Sequence, residues 1–463
     1  MEELNPNLTF ENYDLLNRKQ IAINLTNIIK NKKDLNVLAI DSSCGTGKTT
    51  FINMWINMLK TDSNYIDTFE TIYFNAWESD YSNDALLSLI CQINKSISKT
   101  LENNKTLLEK HKEKFKNIGK IAGTIALKYA TRGVVDSTEW NENFEKGLTE
   151  FSDKIGSSIF KQHSIQKDAR DLLKNSLIEY QKLINKKIII FIDELDRCKP
   201  TYSIEILETI KHLFNLENYV FITSLDKEQL SYSIKTVYGQ DMDSDGYLRR
   251  FFDLEYTLST SATRYYIDIR LKPLFKNFSN KKMLLSILTE IFVEEIYSLR
   301  DIEKAIPFIE LLLSNSEFFN PNSKTTNYTP YQKLIITYIY TFLINLKLKH
   351  SNLLKELLVC NYNDNSINKF FTFDIKLLKL HYLGLKEEEL KDLLESSIKN
   401  FLQIYRLYNK HKFVESNITN KFIVEILNEK TGKLKPRTKV SILEIYKNEK
   451  PLEKLIFTEN FNI

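Results

Sequence analysis

Residues 36–53 read NVLAIDSSCGTGKTTFIN: an apolar run, a short polar stretch holding two glycines, then lysine and two threonines. A short apolar run bounded by turn residues fits a buried strand, and Phe51, Trp55 and Leu59 follow at helical spacing. Strand, glycine-bearing loop and helix in that order suit a phosphate-binding loop. Gly45 and Gly47 let the backbone turn so that successive N–H groups and the positive end of the helix face an anion. In this reading Ser43, Cys44, Gly45, Thr46, Gly47, Lys48, Thr49 and Thr50 cradle phosphates, with Lys48 at the β and γ groups and the Thr49 hydroxyl on Mg²⁺. Ser42 stands where the usual G-x-x-x-x-G-K-[ST] pattern has its first glycine. That position asks chiefly for a small residue, so the loop is expected to work; the alternative is a chance match in an unrelated turn.

A second stretch, IIIFIDELDR at 188–197, supplies the other half of such a site. Its unbroken apolar run ending in acid is expected for a strand buried on both faces of a parallel sheet. Asp193 at the strand end can hold Mg²⁺ through water, and Glu194 beside it can orient or deprotonate an attacking water. Asp196 and Arg197 read equally well as site residues or as a helix cap and a surface ion pair. Thr223 or Ser224, ending the next apolar run, either senses a γ-phosphate or simply terminates a strand.

At 463 residues the chain is too long for one ordinary core and is read as about two or three domains. Its 43% hydrophobic and 27% charged residues describe a globular protein. The 64 basic residues are nearly balanced by 60 acidic ones, leaving a net charge of +4, so no dominant basic face for nucleic acid is implied. Cys44, Cys91, Cys198 and Cys360 are scattered without a C-x-x-C pair, which argues against a zinc site or disulfide framework and fits a reducing compartment. The start MEELNPNLTF lacks the basic-then-apolar pattern of a signal peptide, and the cytoplasm is the expected location.

The spacing predicts one amphipathic helix within NYDLLNRKQIAINLTNIIKN (12–31), strands at Val37–Ile40, Thr71–Phe74 and Tyr219–Ser224, and a helix over TYSIEILETIKHLF (201–214). Ser82 or Asn83 is suited to cap the helix that follows NAWESDYSND. Strands alternating with helices predict an α/β fold: a doubly wound, mostly parallel sheet forming a P-loop NTPase core, with a helical insertion and a C-terminal helical domain. The boundaries are 1–99 for the N-terminal helix and first half of the core, 100–185 for the insertion, 186–260 for the second half, and 261–463 for the helical domain.

Within the insertion, IGKIAGTIALKYATRGVV (118–135) is the most apolar part, yet Lys120, Lys128 and Arg132 fall inside it. At roughly 2.5 to 3.5 kcal/mol per central charge, these argue against a membrane-spanning helix. Ile118, Ile121, Ala122, Ile125, Ala126 and Tyr129 make one apolar stripe. It is either a surface helix for membrane or partner, helped by the basic run KHKEKFK, or a helix packed on its own domain. Membrane association is expected to be peripheral at most. LIITYIYTFLINL at 334–346 is too short to span and reads as a core helix.

Taken in order between about residues 10 and 305, LLNRKQ, SSCGTGKTTFINMW, YFNAWESD, FIDELDRCKPTYSIEILETIKHLF, VFITSLDKEQL, YLRRFFDLEY and SLRDIEK closely resemble the KAP family of P-loop NTPases, a branch of the STAND class. FNAW with IDELDRC is the most specific part. The resemblance implies ATP and Mg²⁺ as cofactors, and nucleotide state coupled to signalling or assembly through a protein partner. It suggests a bacterial or phage-linked setting such as anti-phage defence. It implies that Arg18 lies near the base, with Asn17 in place of the usual glycine. Arg300 is similar to an arginine that reaches back to the phosphates; its alternative is a helix-surface pair with Asp301 or Glu303. Arg249 and Arg250 resemble the stretch from which AAA+ relatives present an arginine to a neighbour's γ-phosphate, which implies a homo-oligomer in the ATP state. The alternative for both is an ion pair with Asp245 or Asp253. Two rivals to a switch-like ATPase are a DNA-dependent motor and a non-catalytic nucleotide-binding scaffold at the membrane surface. The near-neutral charge counts against the first and Glu194 against the second.

Overall fold

Strand pairing decides the architecture. In the computed structural model, Val37–Asp41 (β1) pairs with Tyr219–Leu225 (β4) on one side and Leu254–Thr257 (β5) on the other. Lys187–Asp193 (β3) lies between β4 and Phe69–Asn75 (β2). All pairings are parallel, and the order of the five strands is β2-β3-β4-β1-β5. The structure describes residues 5–82, 85–102, 184–213, 216–259, 264–277, 281–319, 328–358, 387–409, 423–426 and 438–441, with scattered positions at 174–182 and 445–451. Most of the insertion, with the 118–129 stripe and its three cations, lies outside the described residues, as does Asn83.

The sheet is covered on both faces, as its apolar strands require. Ile188, Ile190 and Ile192 of β3 enter one core, while Ile189 and Phe191 enter the other, the period of two expected of a strand. The first face is packed by helices Ala85–Glu102, Pro200–Leu213 and Lys227–Tyr238 through Leu89, Ile93, Leu207 and Leu230. The second is packed by Lys19–Asn31 and Lys48–Thr61. Trp55 of the latter is fully enclosed, with ring centroids 5.6 Å from Phe51 and 5.4 Å from Phe191, and its indole N–H donates to the Thr26 hydroxyl at 2.8 Å. Burying a side chain of this kind contributes roughly 1.5–3 kcal/mol, so Trp55 anchors the helix that follows the glycine loop to the strand that carries Asp193.

Two elements depart from the sequence reading. The helix expected across residues 12–31 is broken: a short turn at Phe10–Tyr13 precedes the helix starting at Lys19. Asp14 accepts the N–H groups of Arg18 (2.7 Å) and Lys19 (2.8 Å), and Asn17 between them takes φ 54°. Apolar spacing is blind to a carboxylate capturing the next amides. The strand β5 was not anticipated, because it is a half-exposed edge strand with no apolar run.

The described residues divide into two compact units, Met1–Thr260 and Ser261–Ile463. The second contains helices Arg264–Leu274, Lys281–Glu294, Leu299–Ser314, Pro330–Lys349, Ser351–Leu358 and Glu387–Asn409. It also holds an antiparallel ribbon, Ile423–Ile426 with Thr438–Ser441, which the helical reading of this region did not contain. Residues 334–346 are core helix: the segment starts from a Thr329–Gln332 capping box and buries Leu334, Ile335, Ile339, Tyr340 and Leu343. Among the described residues no helix is long and apolar enough to cross a membrane.

Candidate functional site

The loop leaves β1 at Asp41, and the Ser42 N–H donates to the Leu225 carbonyl at 3.1 Å, carrying the pairing with β4 one residue further. Gly45 (φ 81°) and Gly47 (φ 82°) occupy the left-handed region. Ser42 does not, since the described non-glycine residues found there are Asn17, Asn185, Glu194, Asn218 and Ile296. Position 42 therefore needs no glycine for its backbone. The serine adds a contact instead. The Thr46 hydroxyl donates to the Ser43 carbonyl at 2.9 Å, which leaves the Ser42 hydroxyl as donor in the 2.7 Å contact with Thr46. Ser42→Gly removes one hydrogen bond worth about 0.5–1.5 kcal/mol and is expected to change ATP affinity by less than about tenfold. Titration calorimetry reads this directly, and a larger gain would mean that the serine impairs the loop.

Phe51 donates the first helical bond, to Gly47 at 3.0 Å, so the amides of Lys48, Thr49 and Thr50 have no acceptor inside the helix. The Lys48 ammonium, 9% exposed, donates to the carbonyls of Ser42 and, at 3.3 Å, Ser43. Orphan amides at a helix start, a left-handed turn and a lysine form a donor set that fits a polyphosphate. Thr49 is partly exposed at the same mouth and Thr50 is exposed.

Two residues brace the loop from behind. The buried Arg18 donates from Nη1 to the carbonyls of Thr46 (3.0 Å) and Gly47 (3.4 Å), and from Nη2 to Ser259 (2.9 Å). Burial pushes its guanidinium down to about 10, which leaves it charged at neutral pH. Its contacts are thus with loop backbone, and Asn17 takes the left-handed φ that asparagine tolerates next best after glycine. The second brace, Asp226, was missed by the sequence reading. Its carboxylate accepts the Cys44 N–H at 3.0 Å and the Gln229 N–H at 3.2 Å, so one side chain joins the loop to the helix 227–238. An aspartate directly before that helix was legible as a cap; its reach to residue 44 was not.

At the same edge of the sheet, one strand beyond β4, stand the acids of β3. Asp193, 1% exposed, accepts the Glu194 N–H at 2.9 Å and the Tyr73 hydroxyl at 3.4 Å. Burial, then Asp193, pushes the Tyr73 hydroxyl up, so it remains a donor. Glu194 has φ 60°, a strain of about 1–3 kcal/mol that is tolerated where surrounding contacts fix the residue. Its Oε1 pairs with Arg197 Nη1 at 2.8 Å and its Oε2 accepts from Asn75 Nδ2 at 3.3 Å. Burial raises the Glu194 carboxyl above the usual range and Arg197 opposes this. Asn75 lies directly opposite Asp193 in the β2–β3 register, which gives the asparagine of FNAW a place beside the acids that the sequence did not assign. Burial likewise raises the Asp196 carboxyl, and the charge of Lys48 opposes this. The buried atoms Asp196 Oδ1, Thr223 Oγ1 and Ser224 Oγ have no hydrogen-bond partner among the described residues.

Arg249 and Arg250, after the short helix Ser244–Leu248, are exposed. Among the described residues neither forms the alternative ion pair with Asp245 or Asp253. Asp253 instead pairs with Lys211 at 3.7 Å and accepts the N–H groups of Asn36 (2.8 Å) and Val37 (2.9 Å). Arg300 belongs to the second unit and is exposed in the first turn of helix 299–314. There Asp301 closes a capping box with Ser298, and Glu303 accepts from Arg270 and Tyr266.

A parallel sheet that turns through glycines into a helix at one strand end, with an acidic pair at another, defines an α/β P-loop protein. Residues 18–307 match the KAP family P-loop domain, which is well over half of the chain, and the protein belongs to that family of P-loop NTPases. An uncharacterized protein of Methanocaldococcus jannaschii, MJ0182, is 28% identical over 183 residues, covering 34% of this chain and 90% of that protein. Among solved structures the chain is similar to the Aeropyrum pernix ORC2 protein in ADPNP–ADP complexes, at 11% identity and TM-score 0.35 over 94% of both chains. It is also similar to AMPPCP-bound DnaA from Aquifex aeolicus, at 14% identity and TM-score 0.31 over 89% of this chain and 100% of that one.

Proposed function

We propose that this protein binds ATP with Mg²⁺, hydrolyses it, and uses the nucleotide state as a switch on its assembly. The observation that carries the reading is the strand order: β1, which runs into the glycine loop, and β3, which ends in Asp193, lie parallel on either side of β4, so the loop and the acids stand at one carboxyl-end edge of the sheet. The amides of Gly45 to Thr49 and the Lys48 ammonium, turned from the carbonyls of Ser42 and Ser43, would bind the β and γ phosphates. Thr49 and Asp193 would hold the metal ion, whose contribution when bound is to neutralise charge on the phosphates. Glu194 would take a proton from the attacking water. Arg18 and Asp226 position the loop without touching the reacting atoms.

Family resemblance supports a bacterial or phage-linked setting such as anti-phage defence, with a protein partner as the output. Exposed Arg249 and Arg250 support a homo-oligomer in the ATP state, and the balanced charge supports no specific nucleic acid.

Lys48→Ala tests the reading. Loss of a charge-assisted contact worth about 1.5–3 kcal/mol is expected to weaken ATP binding up to about 100-fold, with the circular-dichroism spectrum unchanged. Wild-type affinity in that variant overturns the assignment. Steady-state hydrolysis is expected to be independent of added DNA; strong stimulation would favour a motor.

A further inference from the structure

Glu194 is held on both oxygens, and the second holder is itself gripped from outside. Arg197, which pairs with Oε1, has its guanidinium carbon 5.6 Å from the centroid of the Trp77 ring, within cation–π reach. Leu195–Arg197 is a 3₁₀ turn, in which side chains three apart eclipse; this brings Arg197 over Glu194. Trp77 and Asn75 belong to the same FNAW segment at the end of β2. One stretch of chain therefore touches Glu194 directly through Asn75 and indirectly through Arg197. The Arg197 side chain is 32% exposed and Trp77 is 50% exposed, so this contact opens to solvent while Asp193 beside it is sealed.

We propose that Arg197, stacked on Trp77, is a positioning residue that latches Glu194 in a resting orientation, and that hydrolysis requires the latch to open. The inference rests on the reading of Glu194 as the water activator. A carboxylate whose one oxygen is paired with a fixed cation and whose other accepts an amide N–H is a poorer acceptor for the proton of water than one released. The strained backbone at Glu194 fixes where its side chain starts, so what remains adjustable is the side chain itself. Because the outer face of Trp77 is in solvent, a contact made there can shift Arg197 without disturbing the phosphate loop.

In the full chain, Arg197→Gln is expected to raise kcat for ATP about fivefold, the factor for losing a half-exposed pair worth about 1 kcal/mol. Its Kd for a non-hydrolysable ATP analogue should stay unchanged. Arg197→Lys keeps the charge but not the planar stack and should fall between. Trp77→Leu should gain rate in the same direction, and it decides the matter alone should Arg197→Gln not fold. A readout without nucleotide accompanies these. The emission of Trp77, taken as the difference from Trp77→Phe, should become more accessible to acrylamide in Arg197→Gln. Equal or lower rates in Arg197→Gln and Trp77→Leu overturn the latch, as does a rate gain that survives in the Arg197→Gln/Glu194→Gln double variant. Loss of turnover in Glu194→Gln with no gain in Arg197→Gln sinks the latch and leaves Glu194 as activator. Full turnover in Glu194→Gln sinks both.

Discussion

One of the two variants Arg249→Ala and Arg250→Ala is expected to lose hydrolysis by about 10³- to 10⁵-fold while binding ATP normally, because in the proposed ATP-state oligomer a guanidinium from a neighbouring copy would stabilise charge developing on the transferred phosphoryl group. Both arginines are exposed, and among the described residues neither pairs with Asp245 or Asp253, the latter being taken by Lys211. The segment that presents them is firmly built. Asp243 caps the helix Ser244–Leu248 through the Gly246 N–H at 2.9 Å, and the hydroxyls of Ser231 and Ser244 meet at 2.5 Å, tying it to helix 227–238. That helix is capped by Asp226, which also holds Cys44 in the phosphate loop. An arginine offered in trans makes specific activity rise with protein concentration. It also makes the inactive arginine variant and Lys48→Ala restore activity when mixed, since each lacks a different half of a shared site. A concentration-independent rate from a monomer in the presence of ATP would dispose of the idea.

Glu194→Gln is expected to bind ATP with wild-type affinity and to lose about 10²- to 10⁴-fold in turnover, the range for removal of a positioned general base. Glutamine is close to isosteric and keeps a carbonyl oxygen, but it cannot accept a proton from water. Because Lys48, Thr49 and Asp193 are untouched, affinity and turnover should separate, which calorimetry and single-turnover kinetics measure independently. The arrested protein should also gather the ATP-state oligomer, visible by light scattering. Turnover close to wild type would remove Glu194 from the mechanism and require another base at the end of β3.

The local geometry of the candidate site was legible because its signals are local. Gly45 and Gly47 mark a left-handed turn wherever the chain goes, an apolar run ending in Asp193 and Glu194 is a strand delivering acids, and Trp55 at helical spacing is a buried anchor. None of these needs a neighbour to be recognised. Ser42 was legible as a departure, but only the backbone angle showed that the position needs no glycine: it has no left-handed φ, and the hydroxyl reaches Thr46. The family likeness pointed to FNAW without saying that Asn75 stands opposite Asp193.

What the tertiary structure alone decided is which distant groups meet. β4 lies between β1 and β3, so the loop and the acids face each other across a strand instead of sharing a pair. Asp226 reaches Cys44 across 182 residues of chain, Asn75 reaches Glu194 across 119, and Arg18 lies beneath a loop 28 residues further on. The edge strand β5 and the break before Lys19 were invisible for the same reason. Apolar spacing reports only which side of an element avoids water. Strand order and register are set by the packing of both sheet faces at once, and a hydrogen bond between remote side chains exists only after that packing is fixed.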